Sequence, residues 1–169
     1  MKVGRLLIAT ATIPVLLADT TMASEAEFLK SLHGKWTGQG MVRLDIDSSP
    51  INVVCNVDSR ATDTELLMTG RCKGLIVISR PVGADLKFNG AQYTGSYLRP
   101  TGGTAGLAGS RTGNAINLTI HWPNLVNGDR SADLTLQKLG NNGMRLVTVD
   151  VDPTSGDKVV ISEIHLSRN

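Results

Sequence analysis

Apolar and polar residues alternate with a period of two along most of the chain. From Lys35 to Ile46, Trp36, Gly38, Gly40, Val42, Leu44 and Ile46 share one phase, while Lys35, Thr37, Gln39, Arg43 and Asp45 occupy the other. This is the pattern of a strand with one buried face. The alternation returns at Ile51, Val53, Cys55 and Val57, at Leu66, Met68, Gly70 and Cys72, and at Tyr93, Gly95 and Tyr97. It continues with Ile116, Leu118, Ile120 and Trp122, with Leu134 and Leu136, with Val147, Val149 and Val151, and with Val160, Ile164 and Leu166. About ten strands are expected, at the spacing of antiparallel meanders.

The joints carry turn chemistry. Asp47–Pro50, Thr62–Thr64, Arg111–Asn114, Gly140–Gly143 and Asp152–Gly156 mix residues that accept positive φ or close side-chain turns. Only Ala26 to Leu32, with Phe28, Leu29 and Leu32 at helical spacing, predicts a short N-terminal helical turn, so crossover helices for a parallel sheet are lacking. Many short strands joined by hairpins must protect their edges, which favours an all-β, antiparallel up-and-down barrel, with a two-sheet sandwich as the alternative. Gly38, Gly40, Gly70, Gly74, Gly95 and Gly109 fall in apolar phases, where strands coil sharply, leave room inside or pack tightly on a core.

Cys55 and Cys72 are the chain's two cysteines. A hairpin turning at Asp63–Thr64 sets them opposite each other, with Val57 facing Gly70 and Val53 facing Gly74, so the apolar phases agree. The pair is expected to form a structural disulfide. It lacks the Cys-x-x-Cys spacing and helix start of a redox couple.

The N-terminus reads as an export signal: Lys2 and Arg5, then an apolar stretch from Leu6 to Ala18, then small residues at Thr21 and Ala23 or at Ser24 and Ala26. Cleavage is expected near residue 24 or 27, dividing the chain into a signal peptide, 1–23, and a single barrel domain, 24–169. The stretch is shorter than the ~20 residues a membrane span needs, and no Cys follows it for lipid attachment. The expected location is periplasmic or secreted, which suits a disulfide. Losing Lys2, Arg5 and Asp19 from 17 basic and 15 acidic residues leaves a net charge of +1. Basic residues scattered singly on a near-neutral surface argue against nucleic acid or an anionic membrane as the main partner.

Catalytic chemistry is thin. His33, His121 and His165 lie far apart and give no metal-ligand spacing. No Gly-x-Ser-x-Gly occurs, and Ser110 lacks the helix that a nucleophile elbow requires. Asp150-Val151-Asp152 lacks the glycine and closing Glu of a calcium loop and is read as a tight turn. The glycine-rich segment Pro100–Gly109 lacks the Lys and the helix of a phosphate cradle and is read as a loop entering a strand. No catalytic residue, metal site or cofactor is expected.

Gly34-Lys35-Trp36, after a helical turn and at the start of the first long strand, resembles the Gly-x-Trp signature of the lipocalin and wider calycin barrels. That resemblance implies a Trp closing the barrel bottom with an Arg packed on it, either Arg145 or Arg168. Leu32-His33-Gly34-Lys35-Trp36 together with one disulfide is also similar to small periplasmic barrel inhibitors of metalloproteases. The expected function is binding of a small apolar or amphipathic ligand in the barrel interior, lined by Trp36, Met68, Tyr93, Tyr97 and Trp122. The alternative is a periplasmic protein-interaction module, a protease inhibitor among its forms, acting through its loops or the segment Ser24–Leu32.

Overall fold

A computed structural model describes residues 18–74, 78–99 and 102–169. The charged and apolar N-terminal positions up to residue 17 and the Pro100–Thr101 start of the glycine-rich segment lie outside the described residues. One helix, α1 (Ala18–Ser31), precedes ten strands: β1 (Gly34–Val42), β2 (Ile51–Ala61), β3 (Glu65–Gly74), β4 (Ile78–Phe88), β5 (Tyr93–Leu98), β6 (Thr104–Thr112), β7 (Ala115–Val126), β8 (Asp129–Leu139), β9 (Gly143–Val151) and β10 (Lys158–Arg168). Each strand pairs antiparallel with its neighbours in sequence, and β10 pairs with β1 to close the barrel. Closure removes the free edges that a ten-strand meander would otherwise expose.

Strand direction alternates, so the turns divide between two ends. The turns at 62–64, 89–92, 113–114 and 140–142 share one end with α1, and those at 43–50, 127–128 and 152–157, with Arg99, Gly102 and Gly103, lie at the far end. The interior is a continuous apolar core running from Leu29, Leu32 and Trp36 to Ala105 and Trp122. The disulfide forms as expected. Cys55 pairs with Cys72 in register, with an S–S distance of 2.04 Å and a Cα–Cα distance of 4.1 Å, and a loop of this length is worth about 3 kcal/mol in the chain-entropy picture.

The inward glycines mark close backbone approach rather than spare room. A Cβ on Gly38 would overlap the carbonyl oxygen of His165 on β10, so β1 can coil against its neighbour only without a side chain there.

Four readings of local pattern change. The first strand, expected to run to Ile46, ends at Val42, and Leu44 is 71% exposed in the turn that follows. The helix is longer than Ala26–Leu32 and starts at Ala18. In β9 the valines lie in the outward phase: Val147, though only 8% exposed, pairs with Thr135 and Glu163 and lies outside the interior core, and Val151 is 39% exposed. The inward set is Met144, Leu146, Thr148 and Asp150, because pairing of Leu134 with Thr148 and Leu136 with Leu146 sets the register. In β10 a bulge between Val160 and Ser162 sets Val160 opposite outward Val149 and Val159 opposite inward Asp150. Val160 therefore does not share a phase with Ile164 and Leu166.

Candidate functional site

The end that carries α1 is a built plug. Trp36 is fully buried, its Nε1 donates to the Leu32 carbonyl at 3.1 Å, and the Arg168 guanidinium stacks on its ring at 4.3 Å. Arg168 also donates from Nη2 to the Ser31 carbonyl at 2.7 Å and from Nη1 to the His33 carbonyl. The last turn of α1 thus finds partners for carbonyls that have none within the helix, and a cation sits at the negative end of its dipole. Gly34 makes this possible. Its φ is +140°, and a Cβ there would lie 2.5 Å from Arg168 Nη1, so any side chain would both strain the backbone and displace the guanidinium. Of the two arginines the resemblance left open, Arg168 takes the Trp36 face.

Further along α1, Glu25 is buried. Its Oε2 accepts from Arg111 Nε at 2.8 Å, and its Oε1 accepts from the Tyr93 hydroxyl. Arg111 also donates to Ser24 Oγ at 3.2 Å and to the Gly113 carbonyl at 2.6 Å, and lies over the Phe28 ring at 4.7 Å. Burial, with the Glu25 hydrogen bond second, pushes the Tyr93 hydroxyl far above the usual tyrosine range, and burial also raises Tyr97. Both tyrosines of the chain should therefore stay neutral near pH 10 in the folded protein. The sign follows: the preference of the fold for neutral tyrosine is fully present below the unfolded value of about 10 and is lost as pH rises above it. Tyrosinate absorbance should stay low in native protein at a pH where urea-unfolded protein is largely ionised, and equal titration of the two states would contradict this burial.

The far end differs. Among the described residues no helix covers it. Tyr97 and Trp122 meet edge to face at 6.2 Å between centroids, and Arg99 lies 5.0 Å over the Trp122 ring. Trp122 is 9% exposed, and its buried Nε1 has no hydrogen-bond partner among the described residues. An unpaired buried donor costs about 1–3 kcal/mol and marks a place where an acceptor is wanted. The wall beside it is irregular. The β4–β5 ladder runs from Phe88–Tyr93 as far as Gly83–Leu98, so among the described residues the upper part of β4, including Pro81, has no β5 partner. The β6–β7 ladder stops at His121, and the β7–β8 ladder skips from His121 to Val126, across Pro123. Proline lacks the N–H a ladder needs and is tolerated where pairing lapses.

Two strands away on β9, Asp150 is 2% exposed, with Oδ2 accepting from Asn127 Nδ2 at 2.7 Å and Oδ1 from the Val151 N–H at 2.9 Å. Ser162 donates to Thr148 at 3.0 Å. Asp150, read from sequence as part of a turn, is thus an interior strand residue, and the turn begins at Asp152, whose carboxyl is held below its usual range by the Thr154 N–H. Asn127 has φ +53° and Gly128 φ +98°, the conformation of a type I′ hairpin turn. Asn-Gly is the strongest short hairpin signal in a sequence, and it would have located both this turn and the partner of Asp150.

The five expected lining residues divide. Trp36 and Tyr93 belong to the plug. Met68 pairs with Ala84, which pairs with Tyr97, so Met68 and Tyr97 share one row across β3, β4 and β5, with Trp122 against Tyr97. His121 and His165 are exposed on β7 and β10, separated by β8 and β9, and share no site. His165 instead contacts Glu163 at 3.0 Å on the outer wall, where Arg145 also donates at 2.8 Å. The Arg145 bond, then the His165 bond, holds the Glu163 carboxyl below its usual range. Two hollows on the outer surface, of ≈ 320 and ≈ 490 Å³, are lined mainly by outward side chains such as Arg60, Asp85 and Lys87 in one and Gln39, Asn52 and Glu163 in the other. No group of three or more His, Cys, Asp or Glu among the described residues is placed to hold a metal ion.

Fold and site together define a small ten-stranded antiparallel barrel, plugged by a helix at one end and lined at the other by Tyr97, Trp122 and Asp150. Its chain is similar in structure to Rv2717c from M. tuberculosis, with a TM-score of 0.65, 15% identity, and coverage of 86% of this chain and 97% of that one. At that identity the likeness is one of fold. No family model matches the chain, and no curated protein matches its sequence. The lipocalin resemblance therefore stands on Gly34-Lys35-Trp36 alone, and ten strands exceed the eight of a lipocalin barrel.

Proposed function

We propose that this protein is an exported binding barrel that takes a small apolar or amphipathic ligand through the end opposite α1. The observation that supports this reading most directly is the buried, unpartnered indole N–H of Trp122 between Tyr97 and Arg99. A ligand with an apolar body and one acceptor group satisfies that donor and stacks on Tyr97. Irregular strand pairing beside Trp122 supplies a route of access, whereas α1 covers the opposite end.

A naphthalene sulfonate fluorophore tests the reading. Saturable binding to the native protein is expected, about three- to tenfold weaker in Trp122→Phe, which keeps the ring and loses one hydrogen bond. His121→Ala on the outer wall should leave binding unchanged. Absence of saturable binding, or equal affinity in Trp122→Phe at unchanged stability, overturns it.

A protein-interaction role is the second reading, favoured by one observation. Leu44, Ile78, Leu98, Leu125 and Val151, which are 37–71% exposed, all lie at or beside the far-end turns, and an apolar rim of this kind suits a protein partner as well as a ligand. Copurification of a stoichiometric protein with no retained small molecule favours this second reading.

A further inference from the structure

The bond between Ala23 and Ser24 marks a sharp boundary in α1. Met22, Ala23 and Ser24 are exposed, and the Met22 thioether lies beside Gly90. From Glu25 onward the helix is committed to the barrel through the Glu25 bonds to Arg111 and Tyr93, the Phe28 ring under Arg111, and buried Leu29 and Leu32. Two bonds in this segment carry the small residues that signal peptidases require, one after Ala23 with Thr21 at minus three, and one after Ala26 with Ser24 at minus three. Their consequences for the fold differ. Cleavage after Ala26 deletes Glu25, leaving the Arg111 guanidinium and the buried Tyr93 hydroxyl without their acceptor, and an uncompensated buried charge is among the more damaging defects a fold can carry. Cleavage after Ala23 keeps Glu25, and also Ser24, whose hydroxyl accepts from Arg111 Nη2 at 3.2 Å.

We propose that a signal peptidase hydrolyses the Ala23–Ser24 bond and that Glu25, second residue of the mature chain, anchors the new N-terminus as the barrel's plug. Water adds across the peptide bond, leaving a carboxylate on Ala23 and an α-ammonium on Ser24, beside the carboxylate of Glu25 and at the helix end that favours negative rather than positive charge. Glu25 therefore offsets both Arg111 and the positive charge that processing creates. The inference rests on the export reading and not on the ligand reading, so binding measurements do not bear on it.

The test is the intact mass of the full precursor after export from a bacterial host. A chain beginning at Ser24 is expected. A chain beginning at Glu27, or an exported chain that stays uncut, overturns the proposal. Precursor variants separate the two bonds: Ala23→Leu places a bulky side chain where the peptidase accepts only small ones and should slow maturation by about tenfold or more, whereas Ala26→Leu should leave the start at Ser24. Normal maturation of Ala23→Leu together with arrest of Ala26→Leu is the reverse result and would assign the cut to the second bond.

Discussion

Trp36→Ala is expected to cost about 3–5 kcal/mol of stability, the range for truncating a buried aromatic where the surroundings cannot collapse to fill the space. Collapse is hindered here because the Trp36 ring is held from two sides: its Nε1 is bonded to the Leu32 carbonyl and its face is covered by Arg168, itself tied to the Ser31 and His33 carbonyls. Truncation therefore also loosens the end of α1. Lys35→Ala, one residue away on the exposed phase, should change stability by less than about 0.5 kcal/mol. Urea unfolding of the two variants checks the contrast, provided the m-values agree with wild type. Equal, mild effects would mean that Trp36 does not seal the barrel and that Gly34-Lys35-Trp36 is a coincidence of three residues.

Glu25→Ala should be comparably severe, about 3 kcal/mol or somewhat more, because it leaves a guanidinium and a buried hydroxyl without their shared acceptor. The side chains of Glu25 and Arg111 are only 8% and 21% exposed, so solvent compensates little. The proper comparison is the other ion pair of α1, Lys30 with Asp63 at 2.5 Å, whose side chains are 60% and 69% exposed. Lys30→Ala should shift stability by no more than about 0.5 kcal/mol despite its short contact, since exposed pairs gain little over hydrated charges. Thermal or urea melts decide the matter, and a Glu25→Ala effect no larger than that of Lys30→Ala would show that the helix does not depend on this anchor. Glu25→Gln, which keeps the shape and one acceptor, should fall between.

Local pattern carried most of the architecture in advance. Alternation from Lys35 to Ile46, which overran the end of β1 at Val42, and from Ile116 to Trp122 announced strands with one buried face, and the turn chemistry at Thr62–Thr64 and Arg111–Asn114 made their neighbours antiparallel. The Cys55–Cys72 pair could be derived because a two-stranded hairpin has one free variable, its turn, and the phases of Val53 and Val57 chose among the values. Such features depend on periodicity and short sequence separation, which a single chain displays openly.

Tertiary structure decided whatever depended on closure and on partners far along the chain. In β9 the valines carry the stronger local hydrophobic signal, yet they face outward, because pairing with β8 and β10 must satisfy both ladders at once and Leu134, Leu136 and Ile164 outweigh them. The same requirement turned Asp150 inward and called for the bulge between Val160 and Ser162 that reverses the phase of β10. The Glu25 anchor of the plug was equally invisible in pattern. Glu25 lies 68 residues from Tyr93 and 86 from Arg111, and a carboxylate in an otherwise ordinary amphipathic helix reads as a surface group until a barrel brings a guanidinium beneath it. Hydrophobic period determined which segments became strands. In β9 and β10, register, and with it which polar groups were buried and what they met, was settled only when the tenth strand closed on the first.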